Sequence, residues 1–243
     1  MLHGDGWLPQ TQELKSRFQC VTFDNRGMGS SQPAGCEITV TQMAQDTLTV
    51  MNAAAIESAH FIGHSLGGAV ALQVALSAPH KVRSLALLCT SARGSDATRL
   101  TFRMIWLGLR NRIGTRRMRS SAFLEIVMPA EYLSSQDRRI LAERLQPFVG
   151  HALCDTPAIV MPQLKALHAF NAVARLGELK GIHTLVLSAA HDRIFPPMCG
   201  KRLASAMTGA RYVEIADAAH GVTLQSPDVV NRLLLEHFSS ACG

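Results

Sequence analysis

Read from its amino end, the chain alternates short apolar runs with stretches of helical period. FQCVTF (residues 18–23) is an apolar run of strand length that ends in the turn-prone DNRGMGSS. Val40, Met43, Ala44, Leu48 and Met51 then recur at helical spacing and predict an amphipathic helix over 40–55. AHFIG (59–63) reads as a short strand, LGGAVALQVALSA (66–78) as a small-residue helix that Pro79 ends, and VRSLALLC (82–89) as a buried strand. Strands follow at TLVLSA (184–189) and RYVEIA (211–216), and PDVVNRLLLEHF (227–238) is a helix with Pro227 in its first turn. This alternation predicts an α/β fold with a mostly parallel sheet flanked by helices.

Between about Arg93 and Val160 the strand pattern stops. The stretch keeps helical period, is rich in Arg and Met, and carries expected breaks at Gly108, Gly114, Pro129 and Pro147. It predicts a helical cap over residues 93–160, inserted into a core made of 1–92 and 161–243. MPQLKALHAFNAVARLGEL (161–179) leads back to the sheet.

Composition narrows the classes. A chain of 243 residues, 47% hydrophobic and 17% charged, buries a core without staples and is neither disordered, collagenous nor coiled coil. No apolar run approaches the ~18 residues of a membrane span. MLHGDGWLP has neither a basic start nor an apolar signal core, so a cytoplasmic protein without an integral membrane segment is expected. The net charge of +6 comes from 19 Arg and 5 Lys against 18 acids. It lacks the basic stripes with interleaved aromatics that mark nucleic-acid binders, so no nucleic-acid partner is expected. The six cysteines show no metal spacing, and Cys20 and Cys89 fall in expected strands as buried free thiols.

The strongest chemical signal is Gly63-His64-Ser65-Leu66-Gly67-Gly68, set between a predicted strand and a predicted helix. That is the context a nucleophile elbow requires. The glycines leave room for neighbouring backbone, the serine projects from a sharp turn, and the helix N-terminus behind it favours developing negative charge. A serine needs a base, and the base needs an orienting acid. His220, after the last strand, and Asp192, after the strand before it, both sit at carboxyl ends of strands, where open α/β sheets bind ligands. Asp217 and Asp96 are rival acids; Asp217 lies only three residues before His220 and is expected to cap its loop. His64 and His191 flank the key residues, and His64 reads as packing or support. His3, His60, His80, His151, His168, His183 and His237 show no ligand grouping and read as structural. An oxyanion hole needs backbone donors, and Leu66 N–H is one by position. The second is expected from the His3-Gly4-Asp5-Gly6 loop, at Asp5 N–H.

Taken together, HisGly near the start, PheAspAsnArgGlyMetGlySer, GlyHisSerLeuGlyGly, AlaHisAspArg and AlaHisGly resemble the α/β-hydrolase superfamily over essentially the whole chain. The resemblance implies Ser65 as nucleophile, Asp192 as acid, His220 as base, Leu66 and Asp5 as oxyanion donors, and no metal or organic cofactor. Serine at the nucleophile position sets the chain apart from the dehalogenase and epoxide-hydrolase branches, which use Asp there. One feature departs from the family. Its eight-stranded sheet, ordered 1-2-4-3-5-6-7-8, usually places two strands and most of a third before the His-Gly loop, whereas only Met1 and Leu2 precede His3. The third strand lies between the fourth and fifth, so its loss predicts a gap with unpaired backbone. The expectation is a version of a chain longer by a hairpin and a strand, on the order of 25 residues. Alternatively, the fourth and fifth strands pair directly and displace the oxyanion loop.

The cap carries two apolar runs, 102–109 and 122–129. Met104, Met118 and Met128 suit either an acyl pocket or packing between cap helices. From Arg93 to Arg119 there are eight Arg and one acid, Asp96, which either steer anionic head groups or form a solvated face. The expected activity is a serine hydrolase cleaving small or medium carboxylic esters, its partner a small-molecule ester with an apolar acyl part. The same triad would serve an enol-lactone, a thioester, a C–C bond beside a ketone, or perhydrolysis, and a non-catalytic binding protein is a reading of a different class.

Overall fold

Among the described residues four parallel strands, taken in sequence order, make the sheet: β1 (Ala59–His64), β2 (Val82–Leu88), β3 (His183–Ala189) and β4 (Arg211–Ile215). The computed structural model describes residues 4–31, 37–97 and 102–241, of 102–105 the backbone alone. Register runs Phe61 to Leu85, Leu85 to Thr184 and Leu185 to Arg211. Side chains alternate across the sheet, and both faces are covered, so the runs read as continuously apolar. Leu85, Leu87 and Val186 face one core with α2 (Val40–Ala53), α3 (Leu66–Ser77) and α9 (Pro197–Ala206). Ala86, Leu88, Leu185 and Leu187 face the other, with Leu14 of α1 (Leu8–Leu14), Val222 of α10 (Val222–Gln225), and Leu234 and Phe238 of α11 (Pro227–Ser240).

Between β2 and β3 lie α4 (Phe102–Arg110), α5 (Arg116–Val127), α6 (Ala130–Ser134), α7 (Arg138–Val149) and α8 (Val160–Ala169). Leu124, Met128, Leu133, Leu141, Leu145, Val149 and Leu153 form a small core of their own, whereas Ala166 and Leu167 of α8 pack into the main one. Two expected breaks do not break. Gly108 lies inside α4, and Pro147 lies in the last turn of α7, where a missing N–H costs one bond and the helix stops at left-handed Gly150 anyway. Gly114 and Pro129 do fall between helices. Met128 is buried and Met118 is 44% exposed, while the side chain of Met104 lies outside the described residues. No helix among the described residues is long and apolar enough to cross a membrane.

The largest difference from the expectation is residues 18–23. They belong to no strand, with Val21 45% and Phe23 36% exposed. A strand needs a neighbour for its backbone groups, and among the described residues β1 pairs only with β2. Neither a direct pairing of this segment with β1 nor a buried Cys20 is therefore observed; Cys20 is exposed, and Cys89 alone of the two is buried. Cys36, Cys242 and His3 lie outside the described residues. The periodicity also passes over α1, short and started by Pro9, which is held to the C-terminal helices by side-chain amides. Gln10 Nε2 donates to Thr223 O (2.9 Å) and Asn231 Nδ2 to Pro9 O (3.1 Å).

Candidate active site

Ser65 stands between β1 and α3 with φ 56° and ψ −118°, a backbone that L residues seldom adopt. The turn is fixed from both sides: Ser65 N donates to Leu88 O (2.9 Å), and Thr90 Oγ1 donates to Ser65 O (2.8 Å). Two glycines make the turn possible. A Cβ on Gly63 would lie 2.3 Å from Gly67 O, and one on Gly68 would lie 2.5 Å from Thr90 Cγ2. Gly67, expected to share that role, has nothing within 4 Å of such an atom. Leu66 opens α3, so its N–H is one of the first-turn donors that a helix leaves unpaired.

Asp192 and His220 meet at the adjoining strand ends. His220 Nδ1 lies 2.8 Å from Asp192 Oδ2, with both side chains buried. The other carboxylate oxygen accepts from Ile194 N (2.7 Å) and Phe195 N (3.0 Å). Burial alone would push the Asp192 carboxyl up. The His220 imidazole and the two N–H groups outweigh it and hold the acid below its ordinary value, ionised. Of the rivals, Asp217 is exposed, and Asp96 Oδ2 accepts from Ser91 Oγ (2.9 Å).

His64 ties this pair to the elbow. Its Nε2 lies 2.7 Å from His220 O, and the two rings stand 4.7 Å apart. Because a carbonyl only accepts, His64 carries its proton on Nε2. Burial and the neighbouring His220 push its pKa down to about 3, so the ring is neutral at working pH. Among the described residues no hydrogen bond joins Ser65 Oγ to His220; such contacts commonly tighten only when substrate is bound. Asp5 sits in a 3₁₀ turn, Gly4–Trp7, which is held where Gly4 N donates to Asp24 Oδ1 (2.7 Å). No described bond connects that turn to Ser65.

Sequence reasoning missed the His64 tether and the place of Cys89. Cys89, with φ 48°, is the residue after β2, and donor atoms of His64, Cys89 and His220 all lie within 4.8 Å of one another. Burial, then the Asp192 charge, push the thiol well above its usual range, which keeps it protonated. His64 Nε2 and His220 Nδ1 are already engaged, by His220 O and Asp192 Oδ2, so the three side chains are not arranged as an assembled metal centre. The signal in the sequence was an odd polar residue ending an apolar strand, read only as a small hydrophobe. At the opposite strand ends His183 stacks on His237 (4.4 Å, 13°), consistent with a structural role.

Comparison with known proteins gives the same frame. A family profile described as the alpha/beta hydrolase fold matches residues 3–227. A Caulobacter vibrioides protein named as a carbamate hydrolase, RutD, is 32% identical over 99% of this chain and 88% of its own length. A similarly named protein of Variovorax paradoxus is 31% identical over 95% of this chain and 85% of its own. Among solved structures, the enol-lactonase of Burkholderia xenovorans superposes with a TM-score of 0.78 at 25% identity, covering 98% of this chain and 87% of that one. A thermophilic esterase of Thermogutta terrifontis shares the fold at 22% identity and a TM-score of 0.79, covering 99% of this chain and 86% of that one. With an elbow, a buried acid–base pair and a profile match over nearly its whole length, this chain belongs to the α/β-hydrolase fold family and is a hydrolase.

Proposed function

We propose that the chain is a serine hydrolase that cleaves small or medium carboxylic esters through an acyl-enzyme on Ser65. The observation that carries this is the buried Asp192–His220 pair, tied by His64 to the strained turn that bears Ser65. Ser65 Oγ attacks the ester carbonyl while His220 Nε2 takes its proton. Asp192 holds the proton on Nδ1 and stabilises the imidazolium. Leu66 N–H and Asp5 N–H receive the oxyanion, each donor supplying about 2.7–4 kcal/mol of barrier lowering. The imidazolium protonates the leaving alcohol, and water activated by His220 then releases the acid. Residues 93–160 serve as the cap over this site, and their apolar side chains receive the acyl part.

A second reading is a carbamate carbonyl in place of the ester, with a carbamoyl-enzyme at Ser65. The names of the Caulobacter and Variovorax relatives favour it. The test is labelling of purified chain by a fluorophosphonate probe, with Ser65→Ala as control, followed by a panel of nitrophenyl esters, carbamates, lactones and thioesters. Labelling lost in the variant, with ester turnover leading the panel, is expected. Carbamate turnover well above ester turnover would replace the first reading by the second. Folded protein that binds ligand without labelling or turnover would overturn both.

A further inference from the structure

An α-helix ends with carbonyl oxygens that its own backbone does not use, and its carboxyl end is electronegative. In α5, Leu124 O accepts from Met128 N within the chain's own turn. Glu125 O and Val127 O are satisfied from elsewhere. Arg193 Nη1 donates to Glu125 O, and Gly221 N donates to Val127 O at 2.7 Å. Arg193 is the residue after Asp192, and Gly221 is the residue after His220. The acid-bearing loop and the base-bearing loop thus dock, each through its next residue, on one helix end.

That helix end is a firm anchor. Leu124 and Met128 are buried in the small core of the inserted helices. The Glu125 carboxylate is held by Arg138 Nη1 at 2.7 Å, with Arg110 at 3.8 Å. The loop presses close, since a Cβ on Gly221 would lie 3.0 Å from both Val127 O and Met128 Cε. A guanidinium on a helix-terminal carbonyl is a charge-assisted bond, stronger than a neutral one.

We propose that Arg193 is a positioning residue: together with Gly221 it seats the acid and base loops on the end of α5, and this seating sets the 2.8 Å contact between His220 Nδ1 and Asp192 Oδ2. Displacement of α5 is then transmitted to both halves of the pair, but not directly to the Ser65 turn, which β2 holds. For catalysis this rests on the triad reading above, and the experiment separates the two.

Arg193→Ala is compared with wild type for kcat and KM, and for the low-field proton resonance of His220 Nδ1–H. Loosening the pair by a fraction of an ångström is expected to lower kcat about 10- to 100-fold, with KM changed less than about 3-fold. The resonance is expected to broaden or shift. Added guanidinium ion, and Arg193→Lys, are expected to restore much of both. Should Arg193→Ala not fold, Arg193→Gln carries the same expectations with a shorter, neutral side chain. Wild-type kcat with an unmoved resonance overturns the proposal, as does a loss of activity that leaves the resonance in place and ignores guanidinium. A wild-type chain that turns nothing over would sink the hydrolase reading alone, because the resonance reports Arg193 without any substrate.

Discussion

The carboxyl ends of the four described strands carry the proposed triad and segment 4–31 carries Asp5, the proposed second oxyanion donor, and the two are held in different ways. Ser65, Cys89, Asp192 and His220 follow four consecutive parallel strands, so the loop that bears each one starts from a ladder that also carries the core. Asp5 rides on a short 3₁₀ turn where Gly4 N donates to Asp24 Oδ1, in a segment that belongs to no described strand and leaves Val21 and Phe23 exposed. Placement beside a sheet draws on many ladder bonds; placement by a turn outside any strand draws on side-chain contacts and packing. Substitutions at the two places should therefore behave differently.

The largest expected effect is at the acid. Asp192→Asn leaves the loop bonds but offers His220 Nδ1 a donor, so the imidazole is held in the wrong tautomer. A fall in kcat of about 10⁴-fold is expected, read on whichever substrate leads the panel. A fall of less than about tenfold would mean that another acid serves. Next comes the elbow. Gly68→Val must push a side chain into Thr90, already 2.5 Å from where a Cβ would stand. Overpacking of this kind costs about 1–3 kcal/mol or more, seen as a lower urea midpoint together with loss of probe labelling.

Acid should weaken the sheet side before it touches the N-terminal segment. His237 is buried and His64 half-buried, and their pKa values are pushed down to about 4 and about 3, in both cases first by lost solvation. The unfolded chain takes up protons near pH 6.5, whereas the folded chain does not. Stability is thus complete above pH 6.5 and is lost as pH falls toward 4, by up to about 1.4 kcal/mol per unit for each group. Asp192, whose folded pKa is lowered, adds a further loss only below its ordinary value near 3.8. Urea midpoints at pH 8, 6.5 and 5 test the slope, and His237→Phe should flatten it. Equal midpoints at all three would mean that the histidines are solvated.

Smaller again is Asp24→Ala, which frees the Gly4 turn while leaving the sheet alone. Partial loss of one oxyanion donor should lower kcat about tenfold or more, up to the cost of a whole donor, with an unchanged thermal midpoint. If the midpoint falls in parallel with kcat, the turn is part of the core rather than a separate attachment.

Much of this was legible because it depends on local pattern. The apolar runs at 82–89 and 184–189 have the length and bounds of strands buried on both faces, and Gly63, Ser65 and Gly68 between a strand and a helix match the pattern of a tight elbow. What escaped depends on tertiary partners. FQCVTF carries strand propensity, yet propensity expresses fit to a neighbouring strand, and among the described residues it has none. The His64 tether joins positions 156 apart, and the docking of Arg193 on Glu125 joins positions 68 apart. No spacing rule reaches across such separations.

The smallest expected effect probes that same run most directly. Val21 is 45% exposed in an unpaired segment, so Val21→Lys should change stability by less than about 0.5 kcal/mol. Leu87→Lys is its counterpart in β2, where the side chain is fully buried and an unpaired ammonium has no partner; that variant should not fold. Both substitutions place a lysine in a run that the sequence reads as strand, so propensity alone predicts similar damage. A chain with Val21→Lys that loses several kcal/mol would show that 18–23 does enter a sheet in solution, with β1 offering the open edge. A harmless Val21→Lys would leave the strand ends as the firmly built part of the proposed site and the turn that bears Asp5 as a separate attachment.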